Sequence, residues 1–379
     1  MKRTIVVTVL ALLTFAGIAV CEENGSTDLQ KNFSVAKGGK LVVSVAAGDI
    51  QVTVWEKLQV QMVAQDIGED AERVETEQVG NTVNVRYRVH GGWWGKERNL
   101  KFIFHVPADF NLELLTSGGD VGIEGRLTGN VDLSTSGGDL AIDDVDGIVE
   151  GKTSGGDVMV HNMGKDATLS TSGGDIQVDR ASSNLKLSTS GGDIIVTTVG
   201  KDLEASTAGG DVSIQKVGGN LRASTSSGDM VIGKIAGNVD VSTSGGDISL
   251  TSGNGHVSAN TSGGDIEIMS ATGSVDATSS GGTVKVGLTP KGDRESRVES
   301  SGGDVYLYLP SEARASIRAE ASGGDDNEIY SDFPVVIQNG SHRYGHESQE
   351  ITLNGGGQEI YLHTSGGNIY IKDLNSFSK

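Results

Sequence analysis

The chain has 379 residues, of which 56 are glycine and only 4% aromatic; this is poor material for one conventional globular core and points to small units that bury modest apolar faces against their neighbours. Lys plus Arg number 30 against 50 Asp plus Glu, a formal charge of -20 that repels phosphate backbones and anionic lipid surfaces and argues against nucleic acid as a partner. With 1 cysteine in the chain, an internal disulfide is excluded.

In chain order, Lys2 and Arg3 precede an apolar run from Ile5 to Val20, and the polar Glu22-Glu23-Asn24-Gly25-Ser26 follows. This is the layout of a secretory signal peptide over residues 1–21, and it places the protein in the periplasm, the cell envelope or on the extracellular surface. The run is slightly short for a membrane-spanning anchor. Cys21 offers lipid attachment as an alternative, but Val20 stands where lipoprotein sites favour Gly, Ala or Ser, and apart from such an anchor no membrane contact is expected.

Residues 29–115 carry strands of uneven spacing around Leu41–Val45, Ile50–Val54, Val60–Val63, Val83–Tyr87 and Phe102–Val106. Gly80-Asn81 reads as a hairpin turn, and Glu69–Glu75 as a short helix or a charged loop. The region is suited to cap a repeat stack, which otherwise exposes its core at the ends. Trp93 and Trp94, in His90-Gly-Gly-Trp-Trp-Gly-Lys96, are either cover for that end or exposed aromatics that grip a sugar or another partner.

From 116 to 289 the sequence repeats. After the Ser-Gly-Gly-Asp that ends at Asp120, the motif Asp falls at Asp139 and then, at steps of 18 residues, at Asp157, Asp175, Asp193, Asp211, Asp229, Asp247 and Asp265. Following each Asp, apolar residues alternate, as in Ile176 and Val178, and after a second turn they alternate again, as in Leu185, Leu187 and Thr189. An antiparallel meander would leave this apolar face in water. A coil stacks every strand on its own copy ~4.8 Å away and encloses both rows. The expected fold is therefore all-β, a right-handed parallel β-helix (β-solenoid) of about 18 residues per coil with less regular β caps at both ends. Corners that need positive φ or close backbone approach account for the glycines.

Stacked carboxylates from Asp120 to Asp265, with Asp304 beyond them, would repel by ~0.9 kcal/mol per neighbouring pair even in water. The structural reading is a turn ladder in which each carboxylate accepts N–H groups of its own turn and faces solvent. The functional reading is a calcium ladder. The calcium-binding nonapeptide has a second Gly-x-Asp step that is missing here, so no metal and no cofactor are expected.

Over 290–372 the metre loosens. Asp304 and Asp325 come at 21-residue steps, Lys291–Arg297 reads as a charged bulge, and Ser365-Gly-Gly-Asn-Ile-Tyr-Ile371 closes the chain as another coil or two. His342 and His346 read as loop histidines, without the His-Glu-x-x-His order of a zinc protease.

Gly48-Asp-Ile-Gln-Val-Thr-Val54, the Thr-Ser-Gly-Gly-Asp turns, Leu309-Pro310, Ser331-Asp-Phe-Pro334 and Leu362-His-Thr-Ser-Gly-Gly-Asn-Ile-Tyr-Ile371 together resemble the bacterial putative-adhesin family, a domain of unknown function. The resemblance spans roughly residues 29 to 372 and implies a β-helical envelope or surface protein, with adhesion or envelope-stress sensing suggested for members and no catalytic residues. Polysaccharide-active enzymes also use parallel β-helices, but near-identical coils with minimal turns wall no cleft. The expected function is non-enzymatic, adhesin-like binding of a cell-surface glycan or protein; the alternative is a structural or envelope-stress scaffold without a dedicated ligand.

Overall fold

The structure, a computed structural model, describes residues 19–23, 26–88, 100–323, 328–334, 337–343 and 346–377. Nearly all of them lie in strands joined by short turns, and the chain forms a parallel β-solenoid. Coil 175–192 shows how. Its first strand, Ile176–Ala181, pairs in parallel with Val158–Met163 before it and Ile194–Val199 after it. Its second, Leu185–Ser188, pairs with Ala167–Ser170 and Leu203–Ser206. The first strands of successive coils build one sheet (sheet 1) and the second strands build the other (sheet 2).

Ile176, Val178, Leu185, Leu187 and Thr189 point into the core, as the alternation predicts, and Ala181 joins them. The ladder skips Asp179: Val178 pairs with Val196, and the next pair is Arg180 with Thr198. The chain bends there, so the next inward side chain comes after three residues rather than two. The same inward row holds Val145, Met163, Val199, Val217 and Ile235. Each aliphatic side chain buried in a coil contributes about 1.5–3 kcal/mol. Ordering the backbone costs about 1–2 kcal/mol per residue. One coil is therefore unstable alone, and stacking is obligatory.

Both ends depart from the sequential order that the repeat suggests. Gly39–Val45 lies between Thr82–Tyr87 and Phe110–Thr116, and Asp49–Trp55 lies between Lys101–Pro107 and Val121–Leu127. The first coil in sequence is thus second in space. At the other end, Gln358–Thr364 runs between Ser296–Ser300 and Ala315–Ser322, and Ile369–Asp373 runs between Val305–Leu309 and Ile329–Ser331. The last coil does not extend the stack, as the sequence suggests; it fills a gap within it.

Antiparallel strands then cover the edges that a parallel stack leaves open. Gln59–Gln65 and Ser26–Ser34 extend sheet 1 beyond Lys101–Pro107, with Ala19–Glu23 outermost; Val74–Val79 covers Thr82–Tyr87 through the Gly80-Asn81 hairpin. Gly68–Arg73 is a 3-10 helix. Phe102, Phe104 and Phe110 fill the core at this end. Opposite, His346–Leu353 pairs antiparallel with Ala315–Ser322, and Ile337–Arg343 with His346–Leu353. His342 and His346 therefore sit on paired strands rather than in a loop. The charged bulge is also shorter than expected, because the strand Ser296–Ser300 already includes Arg297.

Candidate functional site: turn ladders and a C-terminal depression

The Asp residues of the repeated motif do stack on one edge, but their hydrogen bonds run between coils. Oδ1 of Asp157 accepts the backbone N–H of Asp175 at 2.8 Å. Asp120, Asp139, Asp175, Asp193, Asp211, Asp229 and Asp247 each accept the N–H of the next motif Asp in the same way, at 2.7–2.9 Å. Asp265 accepts from Thr283. Where the sequence suggests donors in the same turn, the donor is one coil further on, because stacking brings that N–H closer to Oδ1. The ladder even follows the rearranged order at the ends: Asp49 accepts from Asp120, and Asp304 from Asn368.

Two further features of the motif have structural causes. The Thr hydroxyl is buried; Thr171 Oγ1 donates to Gly156 O at 2.8 Å and accepts from Gly174 N at 3.3 Å. The second glycine is required by crowding, since a Cβ on Gly192 would lie 2.1 Å from Gly174 O. The first is less constrained, and Ser227 takes its place in one coil.

A second ladder, on the opposite turn, is absent from the sequence reading. Asn220 accepts the N–H of Asn238 at 3.0 Å, Asp202 that of Asn220 at 2.7 Å, and Asp166 that of Asn184 at 3.1 Å. Hydrogen bonds from Ser183 and then from Asn184 hold the Asp166 carboxyl below its ordinary range. The signal was present in the sequence as an Asn or Asp recurring nine residues after the motif Asp at 166, 184, 202, 220 and 238.

Outward residues vary from coil to coil. One row on sheet 2 runs in register through Thr168, Lys186, Glu204, Arg222, Asp240, Ser258, Asp276, Arg297, Tyr361, Arg318 and Glu350. Along the regular coils opposite charges pair, with Lys186–Glu204 at 3.0 Å and Arg222–Asp240 at 2.8 Å. At the C-terminal end the row enters a depression of about 600 Å³, lined among others by Glu295, Arg297, Arg318, Glu350, Glu359 and Tyr361.

The guanidinium carbons of Arg297 and Arg318 lie 4.9 and 6.0 Å from the Tyr361 ring centroid. Arg297 donates to Glu299 at 3.0 Å, and Arg318 to Glu320 at 2.5 Å. The Tyr361 hydroxyl donates to Glu320 at 2.9 Å. Burial, then this bond to Glu320, pushes the Tyr361 phenol up to about 12. Glu320 shows the converse: burial works against its charge, yet hydrogen bonds from Arg318 and Tyr361 hold it below the ordinary carboxylate range.

On sheet 1 at the same end, Tyr370 stacks between Tyr306 and Tyr330, with ring centroids 4.5 and 5.1 Å apart. Lys372 lies 5.4 Å from the Tyr370 ring centroid. Among the described residues, no group of three or more His, Cys, Asp or Glu is placed to hold a metal ion. Trp93, Trp94 and Asp325 lie outside the described residues.

Parallel coils, inter-coil turn ladders and rearranged ends define a β-solenoid repeat protein. The model of the family described as Toastrack DUF4097 matches residues 38–251 and 197–372, and the chain belongs to that family; it is the adhesin-like family that the repeated turns resemble. Three solved structures are also similar. A protein described as a "putative adhesin" from Bacteroides fragilis is 14% identical, with 91% of this chain and 96% of that chain covered at a TM-score of 0.26. A "putative lipid binding protein" from Parabacteroides distasonis is 16% identical, with 66% and 96% covered at 0.32. A "putative cell adhesion protein" from Clostridium sporogenes is 10% identical, with 95% and 99% covered at 0.16. No curated protein matches the chain.

Proposed function

We propose that the protein is a non-enzymatic, exported envelope or surface solenoid that binds glycan or protein partners through its outward rows. The observation that carries this reading is the contrast between the two sides of each strand. Inward positions repeat, whereas the outward row of sheet 2 changes at every coil from Thr168 to Glu350. A core needs the repetition; a recognition surface needs the variation. The short turns of coils 139–283 supply no loops to wall a catalytic cleft, which supports a binding role over polysaccharide cleavage.

Export rests on the leader-like segment 1–21. The proposed organisation after it is a capping region over 29–115, regular coils over 116–289 and a C-terminal cap over 290–372. Within it, the Asp ladder is structural, and Trp93 and Trp94 are further candidates for ligand contact. Cys21, at the end of that segment, is the residue on which any lipid anchoring would rest; among the described residues no helix is long and apolar enough to cross a membrane. The repetition of the inward rows also suits an envelope scaffold without a dedicated ligand.

Cell fractionation with surface protease treatment, followed by binding of the purified chain to intact cells, tests the reading. Saturable, competable binding by an exported chain is expected. Retention in the cytoplasm would overturn export. Absence of binding, together with an envelope defect on gene deletion, would select the scaffold.

A further inference from the structure

The geometry points to the depression around Tyr361 as a saccharide site that takes a neutral or amino sugar unit of a glycan. This rests on the binding reading above and specifies where the ligand sits and of what class it is.

The depression exists because the coil order is rearranged. Arg297, Tyr361, Arg318 and Glu350 belong to four strands whose order in space differs from their order in the chain, and they stand in register in one row. No regular coil contributes an aromatic side chain to that row. The volume of about 600 Å³ falls within the roughly 300–1,000 Å³ of small-ligand sites.

The chemistry discriminates between ligand classes. Arg297 is matched by Glu299 and Glu295, and Arg318 by Glu320, so neither guanidinium offers the unbalanced positive charge that a phosphate or sulfate group needs. Glu350 and Glu359 add further negative charge at the rim. What the site does offer is a set of planar donors and acceptors, held side by side: guanidinium N–H edges, carboxylate oxygens and a phenol. A sugar hydroxyl both donates and accepts, and pairs of such hydroxyls match planar charged groups. The guanidiniums of the two flanking strands lie over the Tyr361 ring, so the apolar surface for the C–H groups of a sugar is the outer edge of that ring together with the Arg stems. A second depression of about 580 Å³ over the regular coils includes Lys186, Glu204, Arg222 and Asp240 but has no aromatic side chain.

The test is a panel of neutral, N-acetylated amino and uronic oligosaccharides probed with the purified chain, followed by calorimetric titration of the best binder. Tyr361→Ala and Arg318→Gln are each expected to weaken binding about tenfold or more, while Lys201→Gln, in an exposed turn outside the outward rows, stays within about twofold. Circular dichroism melting identifies folded variants; the Arg318 side chain is 65% exposed, so its variant remains informative if Tyr361→Ala does not fold. Competition by inorganic phosphate or sulfate at matched ionic strength would overturn the inference, as would unchanged affinity in Arg318→Gln. A chain that binds cells but no panel member overturns the saccharide site and leaves the binding reading standing. A chain that binds neither overturns both.

Discussion

Asp193 accepts, through Oδ1, the backbone N–H of Asp211 one coil further on, at 2.8 Å. On the opposite turn, Asn220 receives the N–H of Asn238 at 3.0 Å without any charge. The same rung can therefore be built by either side chain. What stacking demands is an acceptor oxygen at a fixed height, and the negative charge of the Asp row is incidental to it.

Asp193→Asn should accordingly leave the melting temperature unchanged or slightly raised, because it keeps the acceptor and removes one like charge from the row. Asp193→Ala removes the acceptor and should cost about 1 kcal/mol. Thermal melts of the two variants decide; equal damage in both would show that the charge matters more than the acceptor.

Salt bears on the same row. The melting temperature of the parent chain should climb with sodium chloride, since exposed charges are screened within about 10 Å at 0.1 M. Calcium at matched ionic strength should add little, because Oδ1 at each rung is already engaged. A strong, saturable calcium effect would make the row a cation site.

The buried hydroxyls should be less forgiving. Thr189 Oγ1 donates to Gly174 O at 2.9 Å and accepts from Gly192 N at 3.4 Å. Thr189→Val keeps the shape and strands both partners in a buried corner, at a cost of about 1–3 kcal/mol. Thr189→Ser should cost less, as Ser279 and Ser300 already make equivalent bonds. Urea midpoints that rank the two variants the other way would contradict the bridging role.

Truncation after Gly357 removes a coil from within the stack rather than from its end. Ala315–Ser322 then loses the parallel partner Gln358–Thr364. Residues 296–331 should become open to limited proteolysis while the coils from 131 to 283 stay protected. Fragments that match those of the full chain over 296–331 would refute the rearranged order.

Alkaline pH should weaken the C-terminal end. Tyr306 is pushed up to about 12 by burial and then by the neighbouring Asp304, and Tyr361 also titrates at about 12. An unfolded tyrosine titrates near 10. The folded chain therefore holds these protons more tightly, and the associated stability is fully present below pH 10 and is lost as pH rises towards 12. Denaturant midpoints on either side of that window measure the loss. Absorbance titration that finds every tyrosine near 10 in the folded chain would rule it out.

The regular coils were legible because stacking makes the same demand at the same step. Val178, Leu187 and Thr189 face inward for the reason that their alternation gives. Ala181 was not legible, since the ladder skips Asp179 and the inward step lengthens from two residues to three. The donor for each carboxylate is not legible in the sequence, because a turn viewed alone offers only its own N–H groups and the competing donor is set by stacking. The opposite ladder is hard to read because its positions mix Asp with Asn, and only Asn220 follows a Gly pair. Least legible was the placement of Gln358–Thr364 beside Ser296–Ser300, since long-range pairing leaves no local trace. The depression at Tyr361 depends wholly on that pairing. Trp93 and Trp94, the sequence's own ligand candidates, lie outside the described residues.

The rearranged ends change how the molecule would respond to tension. A strand at the free edge of a sheet can be peeled off one bond at a time. Ile369–Asp373 is flanked by Val305–Leu309 on one side and Ile329–Ser331 on the other, so a pull on Asp373 must break pairings on both flanks. Near the other end, Gly39–Val45 is clasped in the same manner. Tension applied at the C-terminal end would then pass into the middle coils without peeling a free edge, whereas at the other end Ala19–Glu23 and Ser26–Ser34 would give way before Gly39–Val45 is loaded.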